Sequence, residues 1–275
     1  MDNQAKKLLE DAISKSPVHK TSNSRAEFLK TLLAVGALGA VSTSLGSCDV
    51  PTRKPSETWD GKKRRWGMVI DTRKCINCKA CTVACKAENN TPPGVAYTVV
   101  MEQPAPETDK LTFFSKPCFH CENPPCVPVC PTGATYKRTE DGIVMMDYDV
   151  CIGCRYCITA CPYGSRYADF GDQYDTVDLP NKYDLPSVEY NEFRPAEGSK
   201  STHGVVRKCN FCIHMQNEKG EYTDTPACVK SCVGHALNFG DLNDPDSNVS
   251  QLLQQHPHIR LKEELGAEPN VYYIL

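Results

Sequence analysis

The sequence lacks the features of several protein classes. Its apolar run at residues 31–41 falls short of the roughly 20 apolar residues that a membrane span needs. Basic and acidic residues are well mixed and the net charge is −3, so no basic stripe indicates a nucleic-acid partner. No Ser–His–Asp set, phosphate-binding loop or pair of acids calls for a catalytic explanation. The chain is therefore not expected to catalyse a substrate reaction itself.

Cysteine, in contrast, is abundant. There are 17 Cys in 275 residues, far above ordinary usage in a chain too long for a small disulfide scaffold. The 20 Pro and 17 Gly indicate a loop-rich fold whose order comes partly from something other than a large aliphatic core. Bound metal clusters could supply that order, because ligand binding contributes directly to the free energy of folding.

Sixteen of the cysteines fall into four groups of four. The first and third groups share the spacing C-x2-C-x2-C-x3-C and consist of Cys75, Cys78, Cys81 and Cys85, and of Cys151, Cys154, Cys157 and Cys161. The second group, C-x2-C-x4-C-x3-C, consists of Cys118, Cys121, Cys126 and Cys130. The fourth group, C-x2-C-x15-C-x3-C, consists of Cys209, Cys212, Cys228 and Cys232. Every group ends in C-x3-C, which makes the pattern an internal repeat.

This spacing is typical of bacterial [4Fe–4S] ferredoxins. Three thiolates at i, i+3 and i+6 can bind three irons of one cubane, whereas the fourth, one helical turn further on, ligates the other cluster of a pair. Zinc also accepts four thiolates, but zinc ribbons use two separated C-x2-C knuckles. Disulfides are disfavoured because cysteines three residues apart in one loop would pair locally. The four groups therefore predict four [4Fe–4S] clusters in two ferredoxin-like modules, with zinc and disulfides as the weaker alternatives.

The regular structure is expected to be short and mixed. Strands are predicted beside the cysteine groups, at residues 66–70, 97–101, 135–137 and 143–146. A turn at residues 243–246 is followed by a predicted helix at about residues 248–255, with Ser247 or Asp246 as its N-cap. The segment from residue 169 to 207 has no cysteine and is rich in Tyr, Asp and Pro, which indicates an extended insert.

The order of the groups, with the long gap inside the last, resembles the iron–sulfur subunits of molybdopterin oxidoreductases of the dimethyl sulfoxide reductase family. Supporting segments are Arg-Lys-Cys-Ile-Asn-Cys at residues 73–78, Cys-Glu-Asn-Pro-Pro-Cys at 121–126 and Gly-Asp-Leu-Asn-Asp-Pro-Asp-Ser at 240–247. The likeness covers about residues 66–255. Within the family the chain looks most like the exported subunits of tetrathionate, thiosulfate or polysulfide reductases. It also resembles proteins of cytochrome-linked nitrite reduction and of sulfite-reductase-associated membrane complexes.

The resemblance implies which cysteines share a cluster. The first and fourth groups interleave, giving one set of Cys75, Cys78, Cys81 and Cys232 and another of Cys209, Cys212, Cys228 and Cys85. The second and third groups interleave likewise, giving Cys118, Cys121, Cys126 and Cys161, and Cys151, Cys154, Cys157 and Cys130. In some relatives a Trp replaces the second cysteine of the third group and leaves a three-iron cluster. Cys154 occupies that position here, so four cubanes are implied.

The implied fold is α+β and loop-rich, with two pseudo-symmetric ferredoxin-like modules, the second inserted into the first. The expected boundaries are residues 66–117 and 200–240 for the first module, 118–168 for the second, 169–199 for the insert and 241–275 for a partner-docking tail. Residues 48–65 are expected to form a linker after an export signal or membrane anchor at residues 1–47.

The function implied by the resemblance is electron transfer by a non-catalytic subunit of an oxidoreductase complex. One partner would be a molybdopterin-containing catalytic subunit, and the other an integral membrane quinone-reactive subunit or a multihaem cytochrome. The alternative is a structural or relay subunit of a larger respiratory membrane complex without its own molybdenum partner. A free ferredoxin-like carrier is disfavoured by the insert and the tail.

Eight other side chains within or beside the groups are predicted to tune or shield clusters rather than to bind iron: His120, His214, Tyr156, Tyr163, Phe211, Lys74, Lys208 and Arg155. The histidines are expected to hydrogen-bond to backbone or to cluster sulfur. The aromatic rings are expected to exclude water. The cations are expected to raise cluster potentials, with simple surface solvation as the alternative.

The N-terminal residues 1–47 have a basic region, an apolar run and then small residues, which is typical of an export signal. The alternative is a loosely ordered terminal helix. Residues 24–30 resemble the twin-arginine export box, except that Ala26 stands where the second Arg belongs. Leu-Gly-Ser-Cys at residues 45–48 resembles a lipobox, which makes Cys48 a candidate for lipidation, with an incidental cysteine as the alternative. The expected location is the periplasmic face of the cytoplasmic membrane after export of the folded protein, and the alternative is the cytoplasm.

Overall fold

The computed structural model describes residues 52–53, 62–89, 91, 94–104, 111–170 and 204–275. The strands are β1 (Thr52–Arg53), β2 (Trp66–Asp71), β3 (Val99–Pro104), β4 (Leu111–Lys116), β5 (Thr135–Arg138), β6 (Val144–Met146), β7 (Tyr167–Ala168), β8 (Val206–Arg207), β9 (Leu237–Asp241), β10 (His258–Ile259) and β11 (Val271–Ile274). The helices are α1 (Ala80–Glu88), α2 (Tyr156–Ala160), α3 (Ala227–Lys230) and α4 (Asn248–Gln255). Short 3₁₀ turns lie at Thr72–Lys74, Ile213–Met215 and Glu263–Leu265.

The largest sheet links the two ends of the cysteine-rich region. Its strand order is β10-β11-β2-β9, with β11 parallel to β2 and the other pairs antiparallel. Met68, Val69 and Ile70 of β2 are completely buried, so this strand is covered on both faces. At Gly67 a Cβ atom would lie 2.7 Å from the carbonyl oxygen of Asn270, so the close approach of these two segments requires glycine. The strand before the first cysteine group therefore pairs with the strand that follows the fourth.

Three smaller sheets organise the middle of the chain. The β5–β6 hairpin joins the second cysteine group to the third, and β1 adds to β5 in parallel. The β3–β4 hairpin lies between the first and second groups. The strands β7 and β8 pair where residues 169–207 leave and rejoin the fold, with Tyr167 opposite Arg207.

The C-terminal residues hold the loop of the second cysteine group against the large sheet. The backbone N–H groups of Glu122 and Asn123 donate to the carbonyls of Glu268 and Ala267 at 2.8 and 3.1 Å. Asn270 is completely buried; its N–H donates to the Phe119 carbonyl at 2.9 Å and its side-chain amide to the His120 carbonyl at 2.7 Å. We call residues 267–270 the C-terminal clamp. The clamp leads directly into β11.

Cysteines and aromatic rings share the core with aliphatic side chains. The main cluster of buried residues contains Cys81, Cys85, Cys118, Cys121, Cys209 and Cys228 together with several aromatic residues. Phe119 stacks on Tyr163 at 4.0 Å between ring centroids and contacts Tyr273 at 6.3 Å. The Phe211 ring lies 3.8 Å from His120 and 5.2 Å from Phe239.

Most of the predicted elements are present. The four predicted strands correspond to β2, β3, β5 and β6, with β3 beginning two residues later than predicted. The predicted helix is α4, and Ser247 is its N-cap because the Ser247 hydroxyl accepts a hydrogen bond from the Ser250 N–H at 3.2 Å. Mixed strands and helices agree with the predicted α+β class.

Some predictions concern segments outside the described residues. They are the export signal or anchor at residues 1–47, Cys48, much of the linker at 48–65, and the insert at 169–199 apart from its first two residues. Across the described ranges, no helix is both long and apolar enough to cross a membrane.

Candidate metal centres

The four cysteine loops share one backbone feature. The residue before the second cysteine of each group has a left-handed conformation, with φ of 59° at Asn77, 41° at His120, 69° at Gly153 and 62° at Phe211. This conformation is uncommon for residues other than glycine and asparagine. In this conformation the backbone N–H can turn towards the first thiol of the loop. The N–H of Gly153 donates a hydrogen bond to Cys151 Sγ and that of Phe211 to Cys209 Sγ, both at 3.4 Å. The repeat in cysteine spacing is therefore also a repeat in conformation.

The third cysteine of three groups lies at the start of a helix. This third cysteine is Cys81, Cys157 or Cys228, and the helices α1, α2 and α3 each begin one residue before it. In the second group, consecutive turns replace the helix, and the Cys130 N–H donates to the Val127 carbonyl at 3.1 Å. The C-x3-C spacing then places the fourth cysteine of each group about one helical turn further on.

The first and fourth groups exchange their last cysteines. Burial raises the pKa of the Cys75 thiol, and the charges of Cys232 and Cys78 raise it further. Burial also raises the pKa of Cys81, to which Cys232 again contributes. The pKa of Cys228 is raised well above its ordinary value, first by burial and then by Cys85, Cys209 and Cys212.

The second and third groups show the same exchange. Burial raises the pKa of Cys121, and the next causes are the charges of Cys118, Cys126 and Cys161. Burial raises the pKa of Cys157, and Cys151 and Cys130 add to this shift. Apart from Cys154, for which no such interaction is observed, the structure thus brings together the cysteines that the resemblance assigns to each cluster, and the ligand assignment itself stays a prediction.

Four ligand sets are named after the group that supplies three of the cysteines. The first set is Cys75, Cys78, Cys81 and Cys232; the second is Cys118, Cys121, Cys126 and Cys161; the third is Cys151, Cys154, Cys157 and Cys130; the fourth is Cys209, Cys212, Cys228 and Cys85. All sixteen side chains are free thiols. Four converging soft thiolates are the donors that a [4Fe–4S] cluster requires, so the residues fit that cofactor, which would supply one-electron transfer.

A site for a single metal ion needs a different ligand geometry from a four-iron cluster. No group of three or more His, Cys, Asp or Glu side chains in the described segments closes around one metal ion. A cubane spreads its four thiolates over four iron atoms, so its ligands do not have to meet at one point.

The two histidines have partners other than iron. His120 is buried, its Nδ1 accepts the N–H of Val144 at 3.0 Å, and burial holds its pKa well below the usual value. The His214 Nε2 lies 2.7 Å from a carboxylate oxygen of Glu88. The predicted bond to the backbone is confirmed for His120, whereas for His214 the prediction of a backbone or sulfur partner is wrong, because its partner is a side-chain carboxylate.

Some of the aromatic and cationic side chains predicted to shield or tune the clusters are buried, and others are exposed. Tyr163 and Phe211 are buried against the cysteines, whereas Tyr156 is 57% exposed. Lys208 is buried, and its ammonium donates to the carbonyl of Cys209. The Lys74 ammonium lies 3.5 Å from a carboxylate oxygen of Asp71. Arg155 is exposed, with its guanidinium 4.2 Å from the centroid of the Phe170 ring.

Sequence reasoning missed two side chains whose nitrogen atoms donate to the thiols. Asn89 donates to Cys85 Sγ at 3.5 Å and to Cys212 Sγ at 4.0 Å, both in the fourth set. Arg166 is buried and donates to Cys126 Sγ at 3.0 Å. Each follows the last cysteine of its group by four or five residues, outside the repeated spacing. The sequence signal that could have identified Arg166 is a lone arginine among Tyr, Gly and Ala just after Cys161.

Comparison with known proteins agrees with this chemistry. Two models described as 4Fe-4S dicluster domains match residues 74–134 and 109–174. A selenate reductase subunit of Mesobacillus selenatarsenatis is 51% identical over 215 residues, covering 76% of this chain and 72% of that protein. A tetrathionate reductase subunit of Salmonella typhimurium is 36% identical over 258 residues, covering 92% and 88%.

The chain belongs to the iron–sulfur subunits of molybdopterin oxidoreductases. Another relative of this iron–sulfur subunit is the menaquinone reductase iron–sulfur cluster-binding subunit of Nitratidesulfovibrio vulgaris, 38% identical over 241 residues and covering 77% and 89%. The predicted electron-transfer role and the predicted four [4Fe–4S] clusters are confirmed by these relationships. The iron–sulfur subunit works with partner subunits, as its relatives do.

Proposed function

We propose that this subunit relays electrons between a molybdopterin-containing catalytic subunit and a membrane quinone-reactive subunit or multihaem cytochrome. The names of the relatives support both ends of this relay, since two are subunits of oxyanion reductases and one is a subunit of a menaquinone reductase. The four ligand sets would hold the redox centres, and the protein would supply their spacing and insulation.

The observation that carries this proposal is the pattern of cysteine exposure. All four cysteines of the fourth set are buried, as are three of the second set. The first and third sets each contain one exposed cysteine, Cys78 and Cys154 respectively. A relay between two partners needs two accessible ends and an insulated middle, and this arrangement supplies both.

The neighbours of the ligand sets support a linear order. The charge of Cys81 in the first set acts on Cys228 in the fourth, and that of Cys118 in the second set acts on Cys209 in the fourth. Arg166 hydrogen-bonds to Cys126 in the second set, and its charge also acts on Cys157 in the third. The order is then first, fourth, second and third, with the two exposed sets at the ends.

The proposed module arrangement follows from the same contacts. The second and third sets draw on the continuous segment from Cys118 to Cys161, which contains the β5–β6 hairpin. The first and fourth sets are joined by the pairing of β2 with β9 on either side of that segment. We therefore propose that the second ferredoxin-like module is inserted into the first.

Exposed apolar side chains surround both accessible cysteines. Ile76, Val83 and Val233 lie within a few residues of the first-set cysteines and are 63%, 66% and 70% exposed. Val150, Ile152 and Tyr156 lie beside the third-set cysteines and are 39%, 65% and 57% exposed. Exposed apolar residues grouped in this way are typical of protein interaction sites.

The first test is composition. The purified subunit should contain about 16 iron atoms, four for each cubane, and removal of iron by a chelator should unfold it, because the ligands converge only in the folded chain. Iron content near half of this value, or stoichiometric zinc, would contradict the four-cluster relay.

The second test separates the two ends. Val83→Asp and Ile152→Asp place a charge beside the first and third sets, and each should preserve iron content while slowing electron transfer with one partner only. Ile259→Asp, at an exposed residue of β10, is the matched control and should leave both transfers unchanged. Cluster reduction by menaquinol in host membranes and reoxidation by the co-purified molybdenum subunit are the two measurements. Wild-type rates of both transfers in both variants would contradict the two-ended relay, and a complex isolated without a molybdenum subunit would favour the structural subunit instead.

A further inference from the structure

Arg166 occupies a buried position between two ligand sets. It lies between α2 and β7, five residues after Cys161, and is 4% exposed. Its Nη2 donates to Cys126 Sγ of the second set at 3.0 Å. The charge of the guanidinium also acts on Cys157 of the third set. One buried cation therefore acts on thiols that belong to two different ligand sets of the proposed second module.

The rest of the guanidinium is held by neutral atoms. Its Nη1 donates to the Thr135 hydroxyl at 3.1 Å and lies 3.8 Å from the sulfur of Met146. Thr135 opens β5 and Met146 closes β6, so the hairpin between the two cysteine groups fixes the position of the side chain. The charges that act most strongly on Arg166 are those of Cys126, Cys157 and Cys118, all of them thiolates of the ligand sets.

A buried guanidinium at this position favours reduction of both neighbouring clusters. Reduction adds one negative charge to a cluster, and a fixed positive charge nearby stabilises that charge more strongly in a protein interior than in water. Hydrogen bonds to the ligating sulfurs act in the same direction. The planar guanidinium presents its N–H donors in a rigid fork, whereas the ammonium of a lysine is a compact charge on a flexible stem.

We propose that Arg166 is a positioning residue that sets the reduction potentials of the second-set and third-set clusters together. This inference rests on the proposed four-cluster relay and deepens it, because it couples the exposed third set electrically to its buried neighbour. It assigns no direct contact with substrate or partner to Arg166.

The test uses three variants of the full-length subunit. Arg166→Gln removes the charge but keeps an amide donor, and Arg166→Lys keeps the charge but not the paired donors. Lys219→Gln is the control for loss of a positive charge, since Lys219 is exposed in the loop between Cys212 and Cys228. Iron content is measured first, and EPR-monitored redox titration then gives the midpoint potential of each cluster. Titration in a Cys154→Ala background, where the third-set cluster should lose one iron and become EPR-visible when oxidised, identifies that cluster.

The expected result is specific to two clusters. In Arg166→Gln, the ratio of reduced to oxidised cluster at the wild-type midpoint should fall at least tenfold for the second and third sets, a shift of about 59 mV for a one-electron couple. The first-set and fourth-set clusters and all clusters of the Lys219→Gln control should keep their wild-type potentials. Arg166→Lys should lower the potential of one of the two clusters more than the other.

Other outcomes would overturn the proposal. Unchanged potentials in Arg166→Gln, or an equal shift of all four clusters, would exclude a shared local charge. If Arg166→Gln loses iron, the Lys variant decides: full iron with unequally lowered potentials would support the proposal, whereas iron loss there too would assign Arg166 a purely structural role. An iron content of the wild-type subunit well below about 16 atoms per chain would contradict the relay itself. The Arg166 inference is tested separately, by comparing midpoint potentials among variants that have the same iron content.

Discussion

Two cysteines of α1 belong to different neighbourhoods although they lie one turn apart. Cys81 lies beside Cys232 of the first set, whereas Cys85 lies beside Cys228 of the fourth. The same separation holds between Cys228 and Cys232 around α3. Each helix therefore connects two ligand sets, which keeps their relative position independent of loop conformation.

This separation predicts an unusual mutant pattern. Cys85→Ala should alter the EPR spectrum and midpoint potential of the fourth-set cluster, because it removes a ligand from that set and none from its own sequence neighbours. Cys232→Ala should instead alter the first-set cluster. Cys81→Ala is the matched control for Cys85→Ala in the same helix and should change the first-set cluster. If the Cys81 and Cys85 variants perturb one and the same signal, the interleaved ligation is wrong.

At the scale of elements, the C-terminal clamp joins parts of the chain that are far apart in sequence. Asn270 binds the backbone at Phe119 and His120, and its side-chain oxygen accepts a hydrogen bond from Arg65 at 2.8 Å. The clamp thus connects the second cysteine loop, the strand that precedes the first cysteine group and the inner strand β11.

Replacing Asn270 should loosen this connection. Asn270→Ala leaves the buried His120 carbonyl without its amide donor, which should cost about 1 to 3 kcal/mol of stability. The measurement is the urea midpoint at which cluster absorbance is lost. Asn248→Ala removes an exposed side-chain hydrogen bond to Asn238, 3.0 Å long, and serves as the control. Equal midpoints for the two variants would show that the clamp does not stabilise the clusters.

The elements that the sequence predicted carry local signals. Cysteine spacing, the serine cap of α4 and the apolar run of β2 are each encoded within a few residues. The strand β11 was not predicted, because its partner β2 lies about 200 residues earlier and its composition alone does not identify a partner. The residues predicted to dock a partner therefore also supply an inner strand of the main sheet, and their docking role stays a prediction.

In the candidate site, too, the features encoded within a few residues could be predicted, whereas those that depend on contacts between distant segments could not. The sixteen cysteines could be named from spacing, and their grouping could be inferred from the resemblance. Arg166 and Asn89 could not, since each reaches a thiol that no repeated interval connects with it. Spacing specifies which residues bind iron, whereas the residues that adjust those ligands depend on how separate segments pack.

At the scale of the whole molecule, the N-terminal region bears on where the clusters operate. We propose that residues 1–47 are removed or act as an anchor, and that Cys48 carries lipid at the periplasmic face of the membrane. The support is the order of features in the sequence: a basic region, an incomplete twin-arginine box, an apolar run and Leu-Gly-Ser-Cys. Two acyl chains would hold the subunit at the bilayer far more firmly than one.

Intact-mass analysis of the subunit purified from its host should show a chain that begins at a lipid-modified Cys48. Cys48→Ser should release the subunit from membranes while preserving its iron content. Cys154→Ser, which changes a cysteine of the third set, is the control and should stay membrane-bound. A mass that includes Met1 and no lipid would contradict this proposal.

The position of β11 also affects when the protein can mature. This strand follows every ligand cysteine in the sequence, yet it lies between β10 and β2 in the sheet that adjoins the first cysteine group. A nascent chain cannot complete that sheet until residue 274 has left the ribosome, because an inner strand is still missing. Completion of the sheet beside the first cysteine group is consequently a late step, which follows the synthesis of all sixteen ligand cysteines.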